Sequence, residues 1–274
     1  MFSCVPSLFL ALACAATATA TTISSQPTDL TCVTEGLSNE LVAFHEESSR
    51  YEAIARRRTR PPRIKVGVWV HVVASSPDSY ANMNLPRIDK QLAVLSKDFA
   101  PTGFSFHLKH ADWTFNAAWA KGRDRRDMQR ALYQGDHDSL NVYFVEQTDA
   151  SNERVRGHCP LPGHLNGNRD GAIVTASTTP RADFIPKTIP GPRRALVDQA
   201  LGHTLTHEVG HWLGLLHTFE GNNCTGKGDQ IDDTPAHLHP NVGCKAVQDS
   251  CPGQAGMDPT HNFMNILWES VTLV

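Results

Sequence analysis

Beyond its first twenty residues the chain has no apolar run near the roughly 18 residues that a membrane-spanning helix requires. A membrane protein is therefore not expected. Charge of one sign is not in excess either, since 25 Lys and Arg against 28 Asp and Glu leave a formal net charge of −3. Such a balance gives no long-range field for nucleic acid or acidic lipid. One local basic cluster exists, Arg56, Arg57, Arg58 and Arg60, but no aromatic residues interleave with it and Pro61-Pro62 follows at once. It reads as a protease-sensitive processing site, or failing that a solvated linker. There are no internal repeats and no low-complexity tracts. No Gly-x-Ser-x-Gly elbow is present to supply a serine nucleophile.

What is present begins with an export signal. Met1 to Ala20 carries an apolar stretch centred on Leu8 to Ala16 and ends in the small pair Ala18 and Ala20, the pattern of a signal peptide cleaved after Ala20. A secreted, extracellular protein is expected, with no membrane association and no nucleic-acid partner. The full chain of 274 residues, 40% apolar, is long enough for one domain of roughly 200 residues plus a short remainder. Five cysteines lie past the signal, Cys32, Cys159, Cys224, Cys244 and Cys251. An oxidising compartment would pair most of them, which leaves an odd one. Asn223-Cys224-Thr225 forms a sequon that can make Asn223 a glycosylation site.

Residues 21 to 35 are rich in Thr, Ser and Pro and are expected to be extended or disordered. Leu37 to Ala55 reads as a short helix, with apolar or aromatic residues at 37, 41, 44, 51 and 54. Ile64 to Val73 is β-branched and partly alternating, hence a strand. Pro86 to Phe99 places Ile88, Leu92, Leu95 and Phe99 on one helical face behind an initial proline. Strands are predicted at Phe104 to Leu108, Leu140 to Val145 and Gly171 to Val174, and a helix at Arg123 to Leu132. The order implies an α/β fold with a twisted mixed sheet. Domain limits follow: 1–20 signal peptide, 21–60 prosegment or N-terminal extension, 61–274 catalytic domain. Gly221 to Pro259, by contrast, is irregular and needs crosslinks or bound ions to hold one conformation.

The chemistry is concentrated in Leu201 to His217, LGHTLTHEVGHWLGLLH. On a helix His207 and His211, four apart, project from one face and can share one zinc ion. Glu208 can point to the open side of the metal without ligating it. There it would act as catalytic base, taking a proton from zinc-activated water and delivering it to a leaving amine. Gly214 can adopt the positive φ that turns the chain sharply and returns His217 as third ligand. HExxHxxGxxH fixes five residues in eleven, far more specific than HExxH alone. His203 would stand about 6 Å further along the helix, and is read as hydrogen-bonded or exposed rather than as a ligand. Trp212, Leu213, Leu215 and Leu216 are read as core rather than substrate pocket. The reading is a zinc endopeptidase acting on protein or peptide substrates, expected to be monomeric.

With these residues in view, the sequence resembles the secreted fungal members of the pappalysin group of metzincins, which includes ulilysin. The likeness runs through TCVTEG at 31 to 36, HVVASS at 71 to 76, FAPTGFSFHL at 99 to 108, THEVGHWLGLLHTFEGNNC at 206 to 224, GDQIDDTPA at 228 to 236 and DPTHNFMN at 258 to 265. It implies the metzincin zincin fold: a twisted mixed sheet, a long zinc-binding helix and an irregular C-terminal subdomain with a Met-turn at Met264. It also implies a disulfide between Cys224 and Cys251, and a calcium ion held by Asp229, Asp232, Thr234 and Cys244. Cys32 either bridges to Cys159 or sits in a removable prosegment and caps the zinc through its thiolate.

The likeness fails after Met264. Where the family has a tyrosine two residues past the methionine, this chain has Ile266, and neither the expected partner of Cys244 nor a closing helix follows before Val274. The C-terminal part of the domain is therefore expected to be incomplete. A second function class stays open beside the enzyme: a catalytically impaired zinc-binding or scaffold protein. A thermolysin-like enzyme is disfavoured, because Gly214 and His217 stand where a later glutamate ligand would not require them.

Overall fold

A computed structural model describes residues 38–55, 63–80, 83–162, 170–180, 200–241 and 247–265. The signal peptide, Cys32, the arginine cluster, Cys244 and Ile266 lie outside them. The first helix, α1 (Asn39–Ala55), precedes strand β1 (Ile64–Ala74). The short α2 (Pro77–Tyr80), α3 (Leu85–Asp98), β2 (Phe104–Phe115), α4 (Ala117–Ala120) and α5 (Arg125–Leu132) come next. Strands β3 (Leu140–Val145), β4 (Gly157–His158) and β5 (Ala172–Thr175) then lead to α6 (His203–Trp212).

The five strands form one sheet in the order β2-β1-β3-β5-β4. All neighbours run parallel except β4, which lies antiparallel to β5 with Gly157 opposite Val174 and His158 opposite Ile173. The expected mixed sheet is thus one antiparallel edge on a parallel core.

Alternation along the strands explains the layers, because successive side chains leave opposite faces. Val66, Val68, Val70 and Val72 of β1 join Leu140, Val142 and Phe144 of β3 on one face. They pack there with Ile88, Leu92 and Leu95 of α3 and Leu205 and Val209 of α6. Val73, Tyr143, Val145 and Ile173 emerge on the other, against Ala120 of α4 and Met128 of α5. Burial of these aliphatic side chains, at about 1.5–3 kcal/mol each, fixes α6 on the sheet. Helix α3 starts where Asn84 accepts a hydrogen bond from the Arg87 amide, with Pro86 in its first turn.

The strand at Phe104 is longer than its apolar pattern predicts, reaching Phe115. The added part, Lys109 to Thr114, is mostly polar and partly exposed on the sheet edge; only Ala111 packs on the main core, and backbone pairing with β1 continues along it. Strand β4 has no sequence signature: two residues cannot show a period.

Candidate metal centre

Helix α6 carries the histidine motif and is shorter than the long helix expected, with ten residues. Gly202 (φ 87°) bounds it at the start and Gly214 (φ 94°) just after its end. At the turn the Gly214 amide donates to His211 O and the Leu215 amide to Gly210 O. Left-handed φ at Gly214 redirects the chain, as glycine alone does without strain.

The turn brings His217 to the other two histidines. Their Nε2 atoms lie 3.0 Å (His207 and His211), 3.3 Å (His211 and His217) and 3.2 Å (His207 and His217) apart. Among the described residues this is the one group of three ligating side chains so arranged. Zinc with nitrogens at about 2.0–2.1 Å in tetrahedral array separates them by about 3.3 Å.

Neighbouring groups fix which nitrogen is free to ligate. His207 Nδ1 donates to the Phe263 carbonyl oxygen at 2.6 Å, and His211 Nδ1 to the Leu215 carbonyl oxygen at 2.8 Å. Carbonyls only accept, so both rings carry their proton on Nδ1 and present a lone pair at Nε2. His217 Nδ1 faces a carboxylate instead, 3.9 Å from Glu220. All three rings are buried. Burial pushes the His207 ring down to about 4, and lowers His211 and His217 well below the usual histidine range, with neighbouring histidines adding to the effect. Three neutral rings aiming lone pairs at one buried point repel one another unless a cation lies between them, so the donor set fits zinc.

Glu208 is fully buried. Its carboxylate packs so closely on Gly157 of β4 that a Cβ there would collide with it. Met264 stands in the same relation to Gly210, between the two helical ligands: a Cβ on Gly210 would strike its Sδ. The two glycines thus admit the glutamate above and the methionine below the helix. Neither role was legible in the sequence, nor were the Phe263 and Leu215 carbonyls, since backbone atoms leave no residue signature.

The extra histidine behaves as expected. His203 Nδ1 lies 2.9 Å from Asp98 Oδ2, which also accepts from Thr206 Oγ1 at 2.6 Å. Trp212 and Leu213 pack on the main core, Trp212 with its Nε1 donating to Asp170 at 3.0 Å, and Leu216 clusters with Leu41 and Leu161. Past the turn, Cys224 and Cys251 are joined by a disulfide, with Cα atoms 5.5 Å apart. Cys159 is a buried free thiol. Asp229 is buried, accepts from the Ile231 amide at 3.1 Å and bonds the Thr234 side chain, whereas Asp232 is exposed. Asn223 is exposed, its Oδ1 accepting from the Thr225 amide.

The sheet, the helix beneath it and the three-histidine site define a metzincin-like zincin, and known proteins agree. Residues 174–266 match the peptidase M43 family, described as pregnancy-associated plasma protein-A. An extracellular metalloprotease of Colletotrichum graminicola is 38% identical over 259 residues, covering 94% of this chain and 87% of that protein. Another of Verticillium alfalfae is 39% identical over 269 residues, covering 94% and 89%. Among solved structures, mature mirolysin of Tannerella forsythia with a cleaved peptide superposes at a TM-score of 0.58. It shares 21% identity and covers 76% of this chain and 85% of that one, which is a likeness of fold. The chain belongs to this family of fungal extracellular metalloproteases; it is a zinc metalloendopeptidase.

Proposed function

We propose that the chain hydrolyses internal peptide bonds with Glu208 as general base and His207, His211 and His217 as the zinc ligands. The convergence of three neutral Nε2 lone pairs beside a buried glutamate carries this reading. Zinc, when bound, supplies Lewis acidity that polarises the scissile carbonyl and acidifies water. Glu208, one residue from His207, takes the proton from the attacking water and passes it to the departing amine. The Phe263 and Leu215 carbonyls hold the imidazoles of His207 and His211 in the ligating tautomer. The buried walls of α6 and β4 limit competing water.

Met264 serves as the Met-turn floor, a role supported by its burial beneath Gly210. Calcium is the natural occupant of the loop after the turn. Asp229 and Thr234 support it, and Glu220, whose carboxyl is pushed up by burial and by the charge of Asp229, joins the oxygen donors. Asp232 and Cys244 would contribute backbone oxygens. Residues 1–20 act as the export signal and Asn223 as a glycan acceptor. Within 21–60, α1 buries Leu41 against Leu216 and Leu161 and ties Glu46 to Lys227 at 3.0 Å. This packing favours an extension that stays with the domain over a discarded prosegment.

Cleavage of casein by the purified protein tests the reading. Activity should be abolished by chelation, restored by zinc, and reduced about 10²–10⁴-fold in Glu208→Gln with zinc still bound. Folded, zinc-loaded protein that cleaves nothing would instead mark a zinc-binding scaffold.

A further inference from the structure

Two of the three ligands ride on a helix; the third does not. Between Leu213 and Asn265 the described residues contain no helix or strand, so the position of His217 depends on side-chain links. Its ring stacks on Phe219 (centroids 4.8 Å, 13°), and Phe219 meets His237 edge-on at 5.8 Å. The next residue, Thr218, is bonded twice. Its amide donates to Met264 O at 3.2 Å, and its Oγ1 lies 2.9 Å from His237 Nδ1.

His237 leads to a buried carboxylate. Its Nε2 faces Asp258 Oδ2 at 3.7 Å, and neither side chain has any exposure. Asp258 Oδ1 accepts from the Ser250 amide at 2.9 Å and from Ser250 Oγ at 2.8 Å, while Oδ2 accepts from Asn241 Nδ2 at 2.9 Å. Asn265 Nδ2 donates to Asn241 Oδ1, and the Asn241 amide donates to Asn265 Oδ1 at 3.3 Å. Asn265 adjoins Met264, whose carbonyl receives Thr218. The links therefore close a ring: Thr218, His237, Asp258, Asn241, Asn265, Met264. It touches the metal centre at two points, beside His217 and beside Phe263, whose carbonyl holds His207.

Asp258 is the one carboxylate in this ring. A buried charge holds its partners strongly because leaving any of them unmatched is costly. At 3.7 Å the Asp258 oxygen is beyond hydrogen-bond range of His237 Nε2, but its charge favours the tautomer with the proton on Nε2, in which Nδ1 accepts from the Thr218 hydroxyl.

We propose that Asp258 is a positioning residue for the metal ligand His217, acting through His237 and Thr218. The proposal rests on His217 being a zinc ligand. Partners of ligating groups of this kind change metal affinity about 10–100-fold when removed.

The test compares Thr218→Val, which keeps shape and loses the hydroxyl, with Thr218→Ser, which restores it, beside Asp258→Asn and His217→Ala. Zinc dissociation constants come from chelator competition, the thermal midpoint of each metal-free protein is recorded, and cobalt(II) absorption reports ligand geometry. Thr218→Val and Asp258→Asn should weaken zinc binding about tenfold and alter the cobalt spectrum, while Thr218→Ser stays within about twofold of native. If Thr218→Val folds and binds zinc like the native protein while His217→Ala does not, the positioning role is overturned. Unchanged affinity in His217→Ala would instead overturn the ligand assignment itself. Should Asp258→Asn fail to fold, the Thr218 pair decides alone.

Discussion

Single atoms decide much of this site. A carbonyl oxygen on each of two histidines selects the tautomer, and the absence of a Cβ at two glycines makes room for the groups that flank the ligands. Gly157 is the more informative of the two, because its missing side chain is the space that the Glu208 carboxylate fills. Gly157→Ala should therefore displace Glu208, the proposed base, without touching a proposed ligand. The expected outcome is a loss of kcat on the order of 10²-fold, zinc affinity unchanged and a stability cost of about 1–3 kcal/mol from overpacking. Steady-state kinetics with zinc-competition titration checks this; an unaltered kcat would show that Glu208 does not need the position it occupies.

At the scale of elements, two organising forces operate in different halves of the chain. Strands β1, β3 and β5 and helix α3 were legible in the sequence because burial on a period of 2 or 3.6 writes itself into residue order. The eleven-residue histidine motif was legible for a related reason, its spacing being set by one helical turn and one glycine. Strand β4 and the polar half of β2 were not, since backbone pairing at an edge makes no demand on side chains. After Gly214 periodicity disappears and crosslinks take over. There the Cys224–Cys251 pairing followed from family resemblance, whereas the ring through Asp258 depends on contacts as distant in sequence as Thr218 and Met264, which no local pattern records. Replacing both Cys224 and Cys251 by serine should remove about 3.5 kcal/mol, the chain-entropy value for a separation of 27 residues. Denaturant titration measures the loss, and hydrogen exchange should place it in 213–265 rather than in the sheet. A loss spread evenly over both halves would contradict this division.

For the whole molecule, pH and the proposed calcium ion would act on the same irregular half. Burial raises the carboxyls of Glu220 and Asp229, each also facing a neighbouring acidic charge. A carboxyl whose folded value lies above its unfolded one holds its proton better when folded. Its contribution is therefore present at low pH and lost as pH rises through the raised value. The proposed calcium ion, held by the ionised pair, would offset that loss. Added calcium should thus raise the thermal midpoint by a few degrees at pH 7, by roughly 2–4 °C per kcal/mol of binding linkage, and hardly at all once both groups are protonated. Asp229→Asn should abolish the effect. Scanning calorimetry at both pH values, with and without calcium, reads it; no shift at pH 7 would remove calcium from the loop.

The central claim is that three histidines hold one catalytic zinc in an extracellular endopeptidase. Its most direct test is to titrate metal-free protein with zinc while following cleavage of a peptide substrate. Activity should rise linearly from zero and level off at one equivalent. Cleavage that persists without zinc, or that shows no dependence on the first equivalent, would contradict it.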